Sequence, residues 1–377
     1  MKIHVPEFVR NLQTYKPGKP IAELAREKKP ARIVKLASNE NPLGPSPKAM
    51  AAIEQELANS HRYVEPRAPR LVEKLAGLHK VSTGSIVCGH GSDSLIAYII
   101  NAFSNEGDEI VTSRGTFIGI YVSANKLGRR LKLVDLKDYA FDLEAIADAV
   151  SEQTRIVYLA NPNNPTGMMF PRDAFKSFMG QIPESTLVIL DEAYHLYAEG
   201  RPGYPDGVRL SYPNLIVCRT LSKAYGLAGL RIGYAVGPEE VIEQIYKVKL
   251  PFEPNNLAQA AALEALKDDD FLAKTAKLNV WSLAKLQKVF DAHGIQYPES
   301  AANFIMTLWP TEEIAKSFAD ECLNNGLILR HVASFGIPEG VRINSGTEDE
   351  TEFAVEVIER VIRHIHQHHA LDKSIKG

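Results

Sequence analysis

The sequence predicts an α/β chain, with a mostly parallel sheet covered by helices and a second, smaller α+β unit behind it. Three observations carry this reading. Short apolar runs alternate with helical patterns between residues 85 and 237. Several of those runs end in a cluster of polar residues, and after Asp268 the alternation gives way to long helical stretches. Strands covered on both faces read as continuous apolar runs, the mark of a parallel sheet, and alternating helices provide the covers. Ligands of such sheets bind beyond the carboxyl ends of the strands, so the polar clusters are where a site is expected.

The elements follow in order. Ile86, Val87 and Cys88 form a strand that leads through Gly89-His-Gly-Ser-Asp93 into a helix with Leu95, Ile96, Ile99, Ile100 and Phe103 on its apolar side. Residues 109–112 and 130–134 are the next strands, and 155–160 form a buried one ending in the rigid turn 161–167, Asn-Pro-Asn-Asn-Pro-Thr-Gly. Residues 187–190 stop at Asp191, 215–218 run towards Ser222-Lys223, and 232–236 close the series. Beyond it, 271–293 read as one long helix and 303–310 and 326–330 as strands. Residues 351–366 read as an amphipathic helix with Phe353, Val357, Val361 and Ile365 every fourth residue. The expected division is an N-terminal arm at 1–34, belonging with the small domain or with a partner subunit, a large domain at 35–268 and a small domain at 269–377.

Composition excludes several classes. The 377 residues suit two to three domains, and 43 basic against 46 acidic side chains leave a net charge of -3. That balance gives no basic field for nucleic acid. Hydrophobic residues at 45% and charged residues at 24% are ordinary for a globular chain. No apolar run is long enough to span a membrane, and residues 1–10 lack the apolar core of a signal peptide. Cys88, Cys218 and Cys322 are too scattered for a disulfide framework or a metal knuckle, so a reducing cytoplasm is expected. His364, His366, His368 and His369 crowd the last helix and read as a solvated end, with no metal expected.

Four motifs carry chemistry. Thr220-Leu-Ser-Lys223 precedes the glycine-rich run to Arg231, which places a lysine where Schiff-base chemistry can use it. The hydroxyls of Thr220 and Ser222 and the permanently charged fork of Arg231 suit a phosphate. Asp191 follows four apolar residues, so it is expected to be buried and to need a cationic partner such as a protonated pyridine nitrogen. Asn164 is fixed between two prolines and can donate to an oxyanion. The turn at Gly89-His-Gly-Ser-Asp93 offers backbone N–H groups to an anion. Ser94 stands where a dinucleotide fingerprint needs its third glycine, and no P-loop is present.

In order and spacing these motifs resemble the fold-type I pyridoxal 5'-phosphate (PLP) aminotransferases. Asn164 to Asp191 is 27 residues, Asp191 to Lys223 is 32 and Lys223 to Arg231 is 8. Within that group the chain is similar to the histidinol-phosphate aminotransferases, through residues 35–44, Arg62-Tyr63, 219–234, Arg330 and 341–347. The resemblance implies a seven-stranded-type sheet and a ping-pong exchange between histidinol phosphate and 2-oxoglutarate. It implies that Lys223 is the Schiff-base lysine and proton carrier, that Asp191 pairs with the ring nitrogen, and that Asn164 and Tyr194 bond the ring oxygen. Phe117 would stack on the ring, and Thr220, Ser222, Arg231 and the backbone at Ser92 and Asp93 would hold the phosphate. Arg330 and Arg342 would grip an anionic substrate group. In a homodimer Tyr63 would reach the neighbouring cofactor and Tyr15 would lie near the substrate. The chain departs from the family at Arg62-Tyr-Val-Glu-Pro66, at Ser94 and at Arg114-Gly-Thr-Phe117. Those departures leave aromatic amino-acid aminotransfer as an alternative, and a related PLP decarboxylase or lyase on the same frame is a second one.

Overall fold

The computed structural model describes residues 3–12, 19–27 and 30–375, the last helix beyond residue 367 as backbone only. In chain order the strands are β1 (Val34–Lys35), β2 (Ile86–Gly89), β3 (Glu109–Ser113), β4 (Arg130–Val134), β5 (Thr154–Ala160) and β6 (Leu187–Asp191). They continue as β7 (Leu215–Thr220), β8 (Gly233–Val236), β9 (Phe304–Leu308), β10 (Leu327–Ile328), β11 (Arg330–His331) and β12 (Gly340–Asn344).

A seven-stranded sheet in the order β2-β8-β7-β6-β5-β3-β4 forms the larger unit. The expected α/β architecture is the observed one. Every neighbouring pair from β7 to β4 is parallel, whereas β8 runs antiparallel to both β7 and β2. The cause lies between β7 and β8. Parallel strands need a crossover, usually a helix, and this connection holds a single short 3-10 turn, Ala228–Leu230. Strands β6 and β7 are buried along their whole length, as their unbroken apolar runs require. The helices Gly91–Phe103, Arg172–Met179 and Glu239–Val248 pack on the sheet in one core. Pro69–His79 and Asn256–Ala265 bury their small and branched residues in another.

The smaller unit is a three-stranded antiparallel sheet, β11-β12-β9, backed by the helices Asp269–Ala292, Glu312–Asn324 and Glu348–Ile375. Its core joins Leu286, Phe290, Ile305, Phe318, Ile343 and Val357. The segment 326–330, read as one strand, is two short pairings instead. β10 runs parallel to β1 and β11 antiparallel to β12. Through β1 the segment at 34–36 joins this unit, and Val34 and Leu36 lie in its core. The last helix starts earlier than its apolar stripe indicates, because Thr347 and Glu350 close a reciprocal cap. Thr347 N–H donates to Glu350 Oε2 at 2.9 Å and Glu350 N–H to Thr347 Oγ1 at 3.2 Å. Among the described residues no helix is long and apolar enough to cross a membrane.

Candidate active site

The carboxyl ends of the sheet strands and one face of the small sheet enclose a cavity of about 200 Å³. Ser92 and Asp93 enter it from the turn after β2, Phe117 from the loop after β3 and Asn164 from the turn after β5. Asp191 ends β6, Tyr194 follows it, and Thr220, Ser222, Lys223 and Arg231 come from the loop between β7 and β8. Arg330 and Arg342 approach from the opposite wall. They are register partners on β11 and β12, so their side chains share one face. Tyr63 does not line the cavity; it is 84% exposed and stacks on Phe252 with ring centroids 4.4 Å apart. Tyr15 lies outside the described residues.

The electrostatics divide the cavity in two. Asp191 is 4% exposed, and burial pushes its carboxyl up to about 6 against the opposing pull of two hydrogen bonds. Tyr158 O–H donates to its Oδ2 at 2.8 Å and Ala193 N–H to its Oδ1 at 3.1 Å. A cation brought against this acid would restore the charge that burial penalises. Lys223 Nζ donates to the Ser38 carbonyl at 3.2 Å. Burial first, and then the positive charge of Arg342, pull its amine down to about 8. It is therefore much closer to a neutral nucleophile than a surface lysine is. Tyr194 is held up at about 12, chiefly by burial, so it keeps its proton at neutral pH. Its oxygen accepts from Asn39 Nδ2 at 2.7 Å, which leaves the O–H free to donate into the cavity.

The other end is built for an anion. Among the described residues Ser222 Oγ is buried with no hydrogen-bond partner, a cost that a bound acceptor would remove. Arg231 turns its guanidinium towards Asp93 Oδ2, at 3.3 Å. Gly91 has a φ of +78°, and a Cβ there would stand 2.9 Å from Arg231 Nη2, so only glycine keeps this cradle open. A flat, charged ring with an aldehyde at one edge and a phosphate at the other fits these residues.

Asn164 and the arginine pair are joined directly. Arg342 Nη1 donates to Asn164 Oδ1 and Nη2 to the Ala37 carbonyl at 2.8 Å. With Oδ1 occupied, the Asn164 amide presents its N–H₂ to the cavity as a donor. The Asn161–Pro162 bond is cis, and Asn163 ties the turn to the neighbouring loop through Gly115 O at 3.0 Å and Thr116 Oγ1 at 2.8 Å. Arg330 and Arg342 both lie against the Phe335 ring, each with its guanidinium carbon 5.7 Å from the centroid.

Sequence reasoning missed Asn39 and Tyr158. Asn39 sits at a left-handed φ of 56° and its backbone N–H donates to Asn344 Oδ1 at 3.0 Å, which aims its side chain at Tyr194. Its stretch was legible as a motif, but its φ was not. Tyr158 did leave a signal, since a phenol inside a buried aliphatic strand has to find a polar partner.

The matching family model is that of the class I and II aminotransferases, over residues 31–358. A histidinol-phosphate aminotransferase 2 of Hydrogenovibrio crunogenus is 40% identical over 357 residues, covering 94% of this chain and 95% of that one. One from Pseudomonas aeruginosa is 41% identical over 360 residues, covering 94% and 97%. The crystal structure of histidinol-phosphate aminotransferase from Sinorhizobium meliloti in complex with pyridoxal-5'-phosphate superimposes with a TM-score of 0.89 at 29% identity, covering 96% of this chain and 98% of that one. With a seven-stranded sheet, a lysine beyond β7 and a family match across most of its length, the chain belongs to the class I and II aminotransferases.

Proposed function

We propose that this chain is a PLP-dependent histidinol-phosphate aminotransferase, exchanging an amino group between histidinol phosphate and 2-oxoglutarate in two half-reactions. The observation that carries the reading is the sharing of one cavity by Lys223, Asp191, an anion cradle at Ser222 and Arg231, and the pair Arg330 and Arg342. When bound, PLP supplies an electron sink for the carbon that loses its proton. The chain's own residues do the rest. Lys223 Nζ offers the amine that holds the cofactor and, when free and neutral, the base that moves a proton within the cavity. Asp191 holds the proton on the ring nitrogen. Asn164 and Tyr194 donate to the ring oxygen, and Phe117 covers one face. Thr220, Ser222, Arg231 and the backbone at Ser92 and Asp93 hold the phosphate. Arg330 and Arg342 bind the anionic group of either substrate, a phosphate in one half-reaction and a carboxylate in the other.

A homodimer belongs to the same reading, with Tyr63 completing the partner subunit's site. Its exposure supports this, as do the exposed apolar side chains Met50, Leu57, Leu250 and Phe252. The three cysteines are buried and unpaired, which supports a reducing compartment such as the cytoplasm. Comparing kcat/KM for histidinol phosphate and phenylalanine, with 2-oxoglutarate as acceptor, tests the substrate. Histidinol phosphate is expected to win by at least about tenfold, since its phosphate brings more negative charge and more acceptor oxygens to the arginine pair than the single carboxylate of phenylalanine does. The reverse ranking would establish the aromatic alternative, and carbon dioxide release would establish a decarboxylase.

A further inference from the structure

Glu253 is a carboxylate that the mechanism above leaves unused, and it is only 9% exposed. It lies in the turn after the helix Glu239–Val248, next to Phe252, whose φ of +61° is left-handed. Lys249 Nζ ties that turn back by donating to the Glu253 carbonyl at 2.6 Å and to the Leu250 carbonyl at 3.2 Å. Both carboxylate oxygens are then directed at one other element. Oε1 lies 3.1 Å from His90 Nδ1, and Oε2 accepts from Tyr98 O–H at 2.9 Å. His90 is the residue that precedes the helix Gly91–Phe103, and Tyr98 stands further along the same helix.

This position ordinarily holds a side chain that folds back onto the N–H groups of the first turn. His90 makes no such bond, and its ring lies against Glu253 instead. The first turn is left without a side-chain cap, and Ser92 and Asp93 in that turn line the cavity. An uncapped first turn leaves all of its free backbone N–H groups available to an anion. A capping Ser, Asp or Asn at residue 90 would compete with the ligand for the same donors.

We propose that Glu253 is a positioning residue for the cofactor phosphate. It holds His90 away from the helix N-terminus and, through Tyr98, fixes the helix itself, so that the first turn stays open where the phosphate binds. The proposal rests on the PLP reading above and assigns Glu253 no contact with the reacting atoms.

The test titrates the full chain, stripped of cofactor, with PLP and in parallel with pyridoxal, which has the same ring and aldehyde but no phosphate. In Glu253→Ala the affinity for PLP is expected to fall about tenfold while that for pyridoxal changes by less than about twofold. Tyr98→Phe removes one hydroxyl and keeps the ring, and is expected to weaken PLP alone by about threefold. If Glu253→Ala does not fold, Tyr98→Phe decides by the same ratio. An unchanged ratio of the two affinities, whether both weaken or neither does, overturns the role of Glu253. A wild-type chain that takes up neither compound overturns the cofactor reading instead.

Discussion

A lysine amine in water gives up its proton near 10.5, and in this cavity Lys223 gives it up at about 8. The shift follows from burial, with Arg342 adding repulsion, and Asp93 and Glu40 pull the other way without prevailing. The neutral amine is the form that attacks an aldehyde, and its fraction rises with pH. The chain freed of cofactor is therefore expected to capture PLP faster as pH rises, with a midpoint near 8 and a plateau above it. Stopped-flow absorbance across a pH series checks this. A rate still climbing at pH 10 would show that Lys223 keeps its ordinary basicity. The same residue scale explains why the burial of Asp191 was legible and its pairing with Tyr158 was not. Four apolar residues before an acid announce a buried carboxylate, whereas which phenol reaches it depends on how β5 and β6 lie side by side.

At the scale of elements, the loop carrying Lys223 is clamped by a segment far away in sequence. Asn41 Nδ2 donates to the Ala224 carbonyl at 2.8 Å and to Thr275 Oγ1 at 3.0 Å. Gly226 closes the turn by donating its N–H to the Lys223 carbonyl at 2.9 Å. It has a φ of +70°, and a Cβ there would collide with the Gly44 carbonyl. Gly226→Ala is expected to cost about 2 kcal/mol or more and to lower Tm by roughly 2.5 °C or more. Calorimetry checks it, and an unchanged Tm would show that the two loops part freely. The long strands were legible because covered strands read as apolar runs. β1 was not, and β10 and β11 were read as one strand, because two-residue pairings carry no period. The direction of β8 was also hidden, since a run of apolar residues reads the same in a parallel and an antiparallel strand.

At the scale of the whole molecule, the cavity is assembled from two packed units and the segment between them. The large unit contributes Lys223 and Asp191, the small unit Arg330 and Arg342, and residues 37–39 complete the wall. In the proposed function, substrate charge is read by one unit and the chemistry held by the other, so their relative placement sets the distance between amine and anion. Tyr63 stands apart from this assembly on an exposed surface. Its proposed place is in the neighbouring subunit's site, and that gives a decisive mixing experiment. Lys223→Ala alone is expected to lose essentially all transamination, and Tyr63→Ala to lose most of it. In a hybrid of the two variants, one site carries both substitutions and the other carries neither. Denaturing and refolding the pair together is therefore expected to restore activity that neither variant shows alone. If Tyr63 served its own subunit, every hybrid site would hold one lesion, and mixing would recover nothing beyond the sum of the parts.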